Sequence, residues 1–247
     1  MQHFLLVLIS LIMIWSNPAI ARAKVSRWSP ISRRMSINGG DKGNTTSGSA
    51  SFAMENQVQK ISEDVVFKGY RDILRREYKL PNGKSATYDI LTQRHLSVVV
   101  FTWNTTSATT TLIREFHPGS ESFMYGTVAG MYESSKHKTP LEASMLELEE
   151  EAQLTTDKWI PLLDTMDTSM SFDKYSTNRF YPYLALDCSR VAEPRPMDED
   201  ELISVERDVP YQRMMSLLTA GRMNVVSSYA ILLGVQKLRD MGIVLEK

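Results

Sequence analysis

Residues 140–154 of this 247-residue chain read Pro-Leu-Glu-Ala-Ser-Met-Leu-Glu-Leu-Glu-Glu-Glu-Ala-Gln-Leu. Glu147 and Glu151 stand four apart, and Glu150 stands three from Glu147. On a helix those spacings bring the three carboxylates toward one face. Like charges so placed repel by roughly a few tenths of a kcal/mol per pair. A hard divalent ion, Mg²⁺ or Mn²⁺, relieves the repulsion, because it favours carboxylate oxygens and shares its coordination sphere with substrate phosphates. Without an ion the same run is a solvated acidic face, and spacing alone favours that reading. A second acidic group, Asp198-Glu199-Asp200-Glu201, falls in a proline-bearing loop over 189–201. Glu199 or Glu201 could orient or deprotonate an attacking water, or the group is a solvated turn. Arg114 could pair with a phosphate or serve as an ordinary strand-face arginine. Phe123 and Tyr125 could stack a base, although hairpin or core packing is the commoner use. Cys188 is the only cysteine. It excludes an intramolecular disulfide and, on a predicted strand, reads as core filler.

These groups need a scaffold, and the pattern along the chain supplies one. Thr139-Pro140 is a helix start, with Thr as cap and Pro at the first helical position. Leu141, Met145, Leu148 and Ala152 then recur at helical spacing and predict the buried stripe of a helix over 140–152. Val65-Val66-Phe67, 71–79 and 84–93 are extended candidates, the last two joined at the Pro81-Asn82-Gly83 turn. Residues 96–103 are β-branched and aromatic-rich and predict a buried strand. Further strands are expected at 110–116, 123–129, 158–166 and 178–187. Helices are expected near 210–220 and 224–241, separated by Gly221. One helix inserted mid-sheet and two at the end give an α+β protein, an α/β/α sandwich rather than a repeating βαβ sheet. No glycine-rich nucleotide-binding signature occurs.

Composition is ordinary for a soluble domain, with 43% hydrophobic and 23% charged residues. The net charge of −1 gives no whole-chain attraction to nucleic acid or to a membrane surface. Residues 4–15 form an apolar run too short to span a bilayer and suited to a signal-peptide core. Ala21-Arg22-Ala23 offers a cleavage point, so residues 1–23 read as a signal peptide. Residues 24–55 are Ser- and Arg-rich with no acid before Asp41. They read either as a transit-like stretch, completing a bipartite leader into a plastid of secondary origin, or as a disordered linker after a secretory signal. The chain is therefore expected to enter the secretory route, bound for a plastid or for an endomembrane or secreted destination. Residues 56–247 are the expected globular domain, with no membrane association after leader removal.

The segment around the acidic helix resembles the Nudix box. Glu147-Leu148-Glu149-Glu150-Glu151-Ala152-Gln153-Leu154 fits its second half, Pro140-Leu141-Glu142-Ala143 the start of its helix, and Val128-Ala129-Gly130 the strand end and opening glycine. Thr111 to Gly119 resembles the preceding strand of the ADP-ribose and ADP-sugar pyrophosphatase branch, and Gly221-Arg222-Met223-Asn224 its C-terminal end. The resemblance spans roughly residues 61–240. It departs at Leu146, where the box has arginine, and at Gln153, where it has glycine. The loop from Gly130 to Glu147 is two residues longer than the pattern and lacks its first glutamate. The resemblance implies a Nudix-like α/β/α sandwich with a mixed sheet and N-terminal antiparallel strands. It implies metal binding by the Ala129 carbonyl, Glu147, Glu150 and Glu151, a catalytic carboxylate from the late acidic loop, and a nucleotide-sugar substrate. It also implies a homodimer in which residues 61–93 contribute to the partner. A catalytically impaired nucleotide- or protein-binding module, and an unrelated α+β binding domain, are the competing readings.

Overall fold

A computed structural model describes residues 57–195 and 202–246. The expected leader and linker, and Glu199 and Glu201 of the late acidic loop, lie outside these residues. Three strands open the domain: β1 (Gln59–Phe67), β2 (Asp72–Lys79) and β3 (Ser85–Thr92), an antiparallel sheet in that order. Gly83 takes the left-handed conformation (φ 78°) in the turn joining β2 and β3, the geometry that Pro81-Asn82-Gly83 foretold.

The central layer follows. It contains β4 (Leu96–Trp103), β5 (Thr109–His117), β6 (Ser122–Gly126) and β7 (Val128–Tyr132), then helix α1 (Pro140–Ala152). After the helix come β8 (Leu154–Thr155), β9 (Trp159–Pro161), β10 (Met170–Ser171), β11 (Arg179–Leu186) and β12 (Ser189–Arg190). The chain ends with β13 (Ile203–Pro210), α2 (Tyr211–Thr219) and α3 (Val225–Asp240). One sheet runs β10-β11-β4-β7, with β9 added on β11, and another runs β13-β5-β6. Strand β11 is parallel to β4, while β7 is antiparallel to it, so the sheet is mixed.

Period-two alternation along β4 explains the layering. Val99, Phe101 and Trp103 face a core shared with Leu112, Leu184, Ile231 and Leu238, under α3. Val100, between them, belongs to the opposite core with Ile113, Val128, Leu148 and Ala152, under α1. Both faces are covered, which is why β4 reads as a continuous apolar run. Gly234 of α3 lies against the Phe101 ring, where a Cβ would overlap it. None of the described helices is long and apolar enough to cross a membrane.

Several expectations are corrected. Residues 123–129 are not one strand but two, β6 and β7, broken at Thr127. Gly126 is crowded there by Asn224 and Ser227, and the Thr127 N–H donates to the Ser227 hydroxyl at 3.0 Å. The break is stitched further, since Tyr125 N–H donates to the Arg222 carbonyl (2.8 Å) and Asn224 N–H to the Tyr125 carbonyl (3.2 Å). The strand expected over 158–166 shrinks to Trp159–Pro161. Of the stripe expected on α1, Leu148 and Ala152 are buried, but Leu141 and Met145 are not. Met145 is 40% exposed, and the buried positions are Pro140, Ala143, Ser144, Leu148, Glu151 and Ala152. The helix is rotated because Glu151 is turned inward. Strand β13 was not anticipated.

Candidate carboxylate site on the edge of β7

Helix α1 begins as its sequence requires. Thr139 caps it by accepting from the Glu142 N–H (3.1 Å), Pro140 fills the first turn, and Glu142 reaches back to the Lys138 N–H. The opening strand β7 is the edge of its sheet and, among the described residues, pairs only with β4 along its length. An edge strand leaves alternate N–H groups open. Here α1 supplies their acceptors. Ala129 N–H donates to Glu151 Oε2 at 3.2 Å, and Met131 N–H donates to Glu147 Oε1 at 3.2 Å.

Gly130 lies between these two bonds. A Cβ at that position would overlap the Glu147 carboxylate, so a residue without one is required for the helix to seat. Glu151 is only 5% exposed. A carboxylate so buried needs partners, and the strand edge is one. Glu150, on the same helix, is half-buried. Among the described residues, no group of three or more His, Cys, Asp or Glu side chains is disposed to hold a metal ion. What the structure does bring together is Glu147 and Glu151, on one strand edge. This oxygen-only donor pair suits a hard divalent ion and not a thiophilic one.

Arg114 lies on β5, in the other sheet, β13-β5-β6. It pairs across β5 and β6 with Tyr125, and its guanidinium lies 4.6 Å from the centre of the Phe123 ring. Tyr125 packs against the α3-side core, and Phe123 meets Phe116 edge-on. Cys188 is a half-buried thiol in the turn between β11 and β12, not on a strand, and its pKa is pushed up to about 12, first by desolvation and then by the Asp187 charge. It packs against the α1-side core and is too poorly ionised to act as a nucleophile.

Two groups escaped the sequence reading. The lengthened loop before α1 folds back on Glu133: Lys136 N–H (2.9 Å) and His137 N–H (2.8 Å) both donate to its carbonyl. Lys136 Nζ sits 2.8 Å from the Glu133 carboxylate, and His95 Nε2 lies 3.8 Å from it. The hydrogen bond from Lys136 holds the Glu133 carboxyl below its ordinary range. The signal was present in the Glu-x-x-Lys-His spacing, but it lies three residues ahead of the position where the box pattern calls for a carboxylate. The second group is at the other end of α1. Gln153, in place of the box glycine, adopts the left-handed conformation (φ 57°) that glycine would take more readily. Arg207 Nη2 donates to the Ala152 carbonyl (2.8 Å) and to Gln153 Oε1 (3.3 Å). It thus closes a helix end that has no basic residue in its last turn.

No family model matches the chain. The chain is 27% identical over 150 residues to the ADP-ribose pyrophosphatase of Bacillus subtilis (strain 168), covering 60% of this chain and 77% of that protein. Its structure is similar to the crystal structure of an ADP compounds hydrolase, with a TM-score of 0.62 and 22% identity, covering 76% of this chain and 97% of the other. These likenesses agree with the resemblance read from the box and its flanking strands, and the fold is the one shared with that hydrolase, α+β with a mixed sheet and N-terminal antiparallel strands.

Proposed function

We propose that this chain hydrolyses the pyrophosphate bond of a nucleoside diphosphate sugar of the ADP-ribose or ADP-sugar type, with Mg²⁺ or Mn²⁺ as cofactor. The observation that carries the reading is the seating of Glu147 and Glu151 on the open edge of β7 across Gly130. The relatives named above, hydrolases of ADP-ribose and ADP compounds, favour the same chemistry. Glu147, Glu150 and Glu151 would hold the ion together with the carbonyl of Ala129. A strand residue's carbonyl points to the same side as its N–H, and the Ala129 N–H already meets Glu151. When bound, the ion supplies charge neutralisation on phosphate oxygens and lowers the pKa of water. The chain's own residues do the rest. The edge of β7 fixes both carboxylates before substrate arrives, Arg114 meets a phosphate, and Glu199 or Glu201 orients the attacking water. The test is AMP release from ADP-ribose and ADP-glucose by the full chain with added Mg²⁺. Glu151→Gln is expected to lower turnover by about 10²-fold or more. A wild-type protein inert across a nucleotide-sugar panel would sink the proposal.

Leu146, standing where the box has arginine, favours a second reading: an impaired Nudix fold that binds a nucleotide or a protein without turnover. Thermal stabilisation by nucleotides with no product formed would select it.

We further propose that two copies associate through β1. All nine residues of this edge strand are exposed, among them Ile61, Val65 and Phe67, each more than half exposed. Monomers rarely leave an apolar strand edge bare. For the leader, we propose entry into the secretory route, with a plastid, the endomembrane lumen or secretion as destinations.

A further inference from the structure

A polar cavity of about 140 Å³ lies at the end of the sheet away from Gly130. Gly130 pairs with Val98 near the start of β4. The cavity opens beside Thr102 and Trp103 at the end of that strand, five residues and thus roughly 16 Å further along it. Its walls also include Asn104, Thr110 on β5, Arg190 on β12, and Arg207 and Asp208 on β13.

Two donors on these wall residues lack acceptors. Trp103 is 1% exposed, and its indole N–H is buried with no acceptor. Arg207 spends Nη2 on the end of α1, but its Nε–H is likewise buried without an acceptor. Indole and guanidinium groups can only donate. The Thr102 and Thr110 hydroxyls lie 3.2 Å apart and bond one another. Arg190 stands close enough to Arg207 to repel it. Asp208 offsets one of the two positive charges and leaves the other. The chain builds this arrangement deliberately at a bulge. Glu206 pairs with Leu112 and Val209 with Thr110, so Arg207 and Asp208 share one partner position, and Asp208 is left-handed (φ 54°). A bulge re-aims the side chains it carries.

Two buried donors without acceptors, beside an excess of one positive charge, favour an anion. We propose that the cavity binds a small tetrahedral oxyanion of the inorganic phosphate class. A water's share of liquid volume is about 30 Å³, so the space exceeds a single water. It falls short of the roughly 300 Å³ at which drug-sized ligand pockets begin, so a whole nucleotide is excluded. The site stands apart from the carboxylates on β7, and its test involves no turnover.

The experiment follows the indole ¹⁵N–¹H resonances of the full chain as phosphate is added, against chloride at matched ionic strength. Trp103→Phe identifies the Trp103 signal by its loss. Phosphate is expected to shift that signal saturably, and chloride to leave it in place. Arg190→Gln keeps the Arg207 bonds to the end of α1, so the protein stays folded, and it is expected to weaken phosphate binding by about tenfold or more. An unmoved Trp103 signal, an equal shift with chloride, or unchanged affinity in Arg190→Gln each overturns the proposal.

Discussion

At the scale of single residues, the candidate site rests on an absent side chain. Gly130 is needed for clearance, because the Glu147 carboxylate occupies the place of a Cβ. Gly130→Ala is therefore expected to push α1 off the edge of β7. Overpacking of this kind costs about 1–3 kcal/mol, which a folded domain tolerates, while the carboxylate geometry does not. A folded Ala variant that has lost most of its turnover of ADP-ribose is the expected outcome, checked by circular dichroism beside kcat/KM. Full activity in that variant would remove the clearance argument. The sequence revealed Glu147 and Glu151 through their spacing of four, but it could not reveal that Glu151 is buried. A glutamate within an acidic run reads as solvent-facing, and only the open N–H groups of a strand edge turn it inward.

At the scale of elements, α1 shows how a departure from the pattern is absorbed. Gln153 occupies a left-handed position where a side chain costs about 1–2 kcal/mol relative to glycine. Its bond to Arg207 returns part of that cost. Gln153→Gly is expected to raise stability by up to about 1 kcal/mol, measured by urea unfolding of the two proteins. A loss of stability would show that the Arg207 bond outweighs the backbone strain. Strand β4 and helix α1 were legible because β4 is buried on both faces and α1 carries a Thr-Pro start. Strand β13 was not. Its Ile-Ser-Val-Glu-Arg-Asp-Val-Pro run is interrupted by the bulge at Arg207 and Asp208, which breaks the alternation that a strand reading depends on. The break between β6 and β7 was hidden for a related reason: its cause, Ser227, lies 100 residues away.

At the scale of the whole molecule, the sheet of β1, β2 and β3 presents an unpaired apolar edge that the rest of the described domain does not cover. If a second copy covers it, Phe67→Glu should shift the protein from dimer to monomer, read by sedimentation or light scattering. A wild-type protein monomeric at tens of micromolar, a range in which specific interfaces of standard size stay paired, contradicts the proposed association. The sandwich architecture was legible in the order of strands and helices. The proposed pairing of copies through the N-terminal sheet was expected from the resemblance alone, because such pairing leaves no periodicity in one chain.

The stitching of Tyr125 and Thr127 to residues 222–227 has a consequence for how the protein is made. Ribosomes deliver the chain from its N-terminus at about 5–20 residues per second. The β6–β7 break and the whole of α1 therefore emerge well before the Arg222, Asn224 and Ser227 groups that hold the break in place. The edge of β7 is completed only when the last helix arrives, so the carboxylate site should be among the final parts of the domain to form during synthesis. Stalled nascent chains ending before Arg222 should stay open to proteolysis at residues 126–139, and chains extended past α3 should resist it.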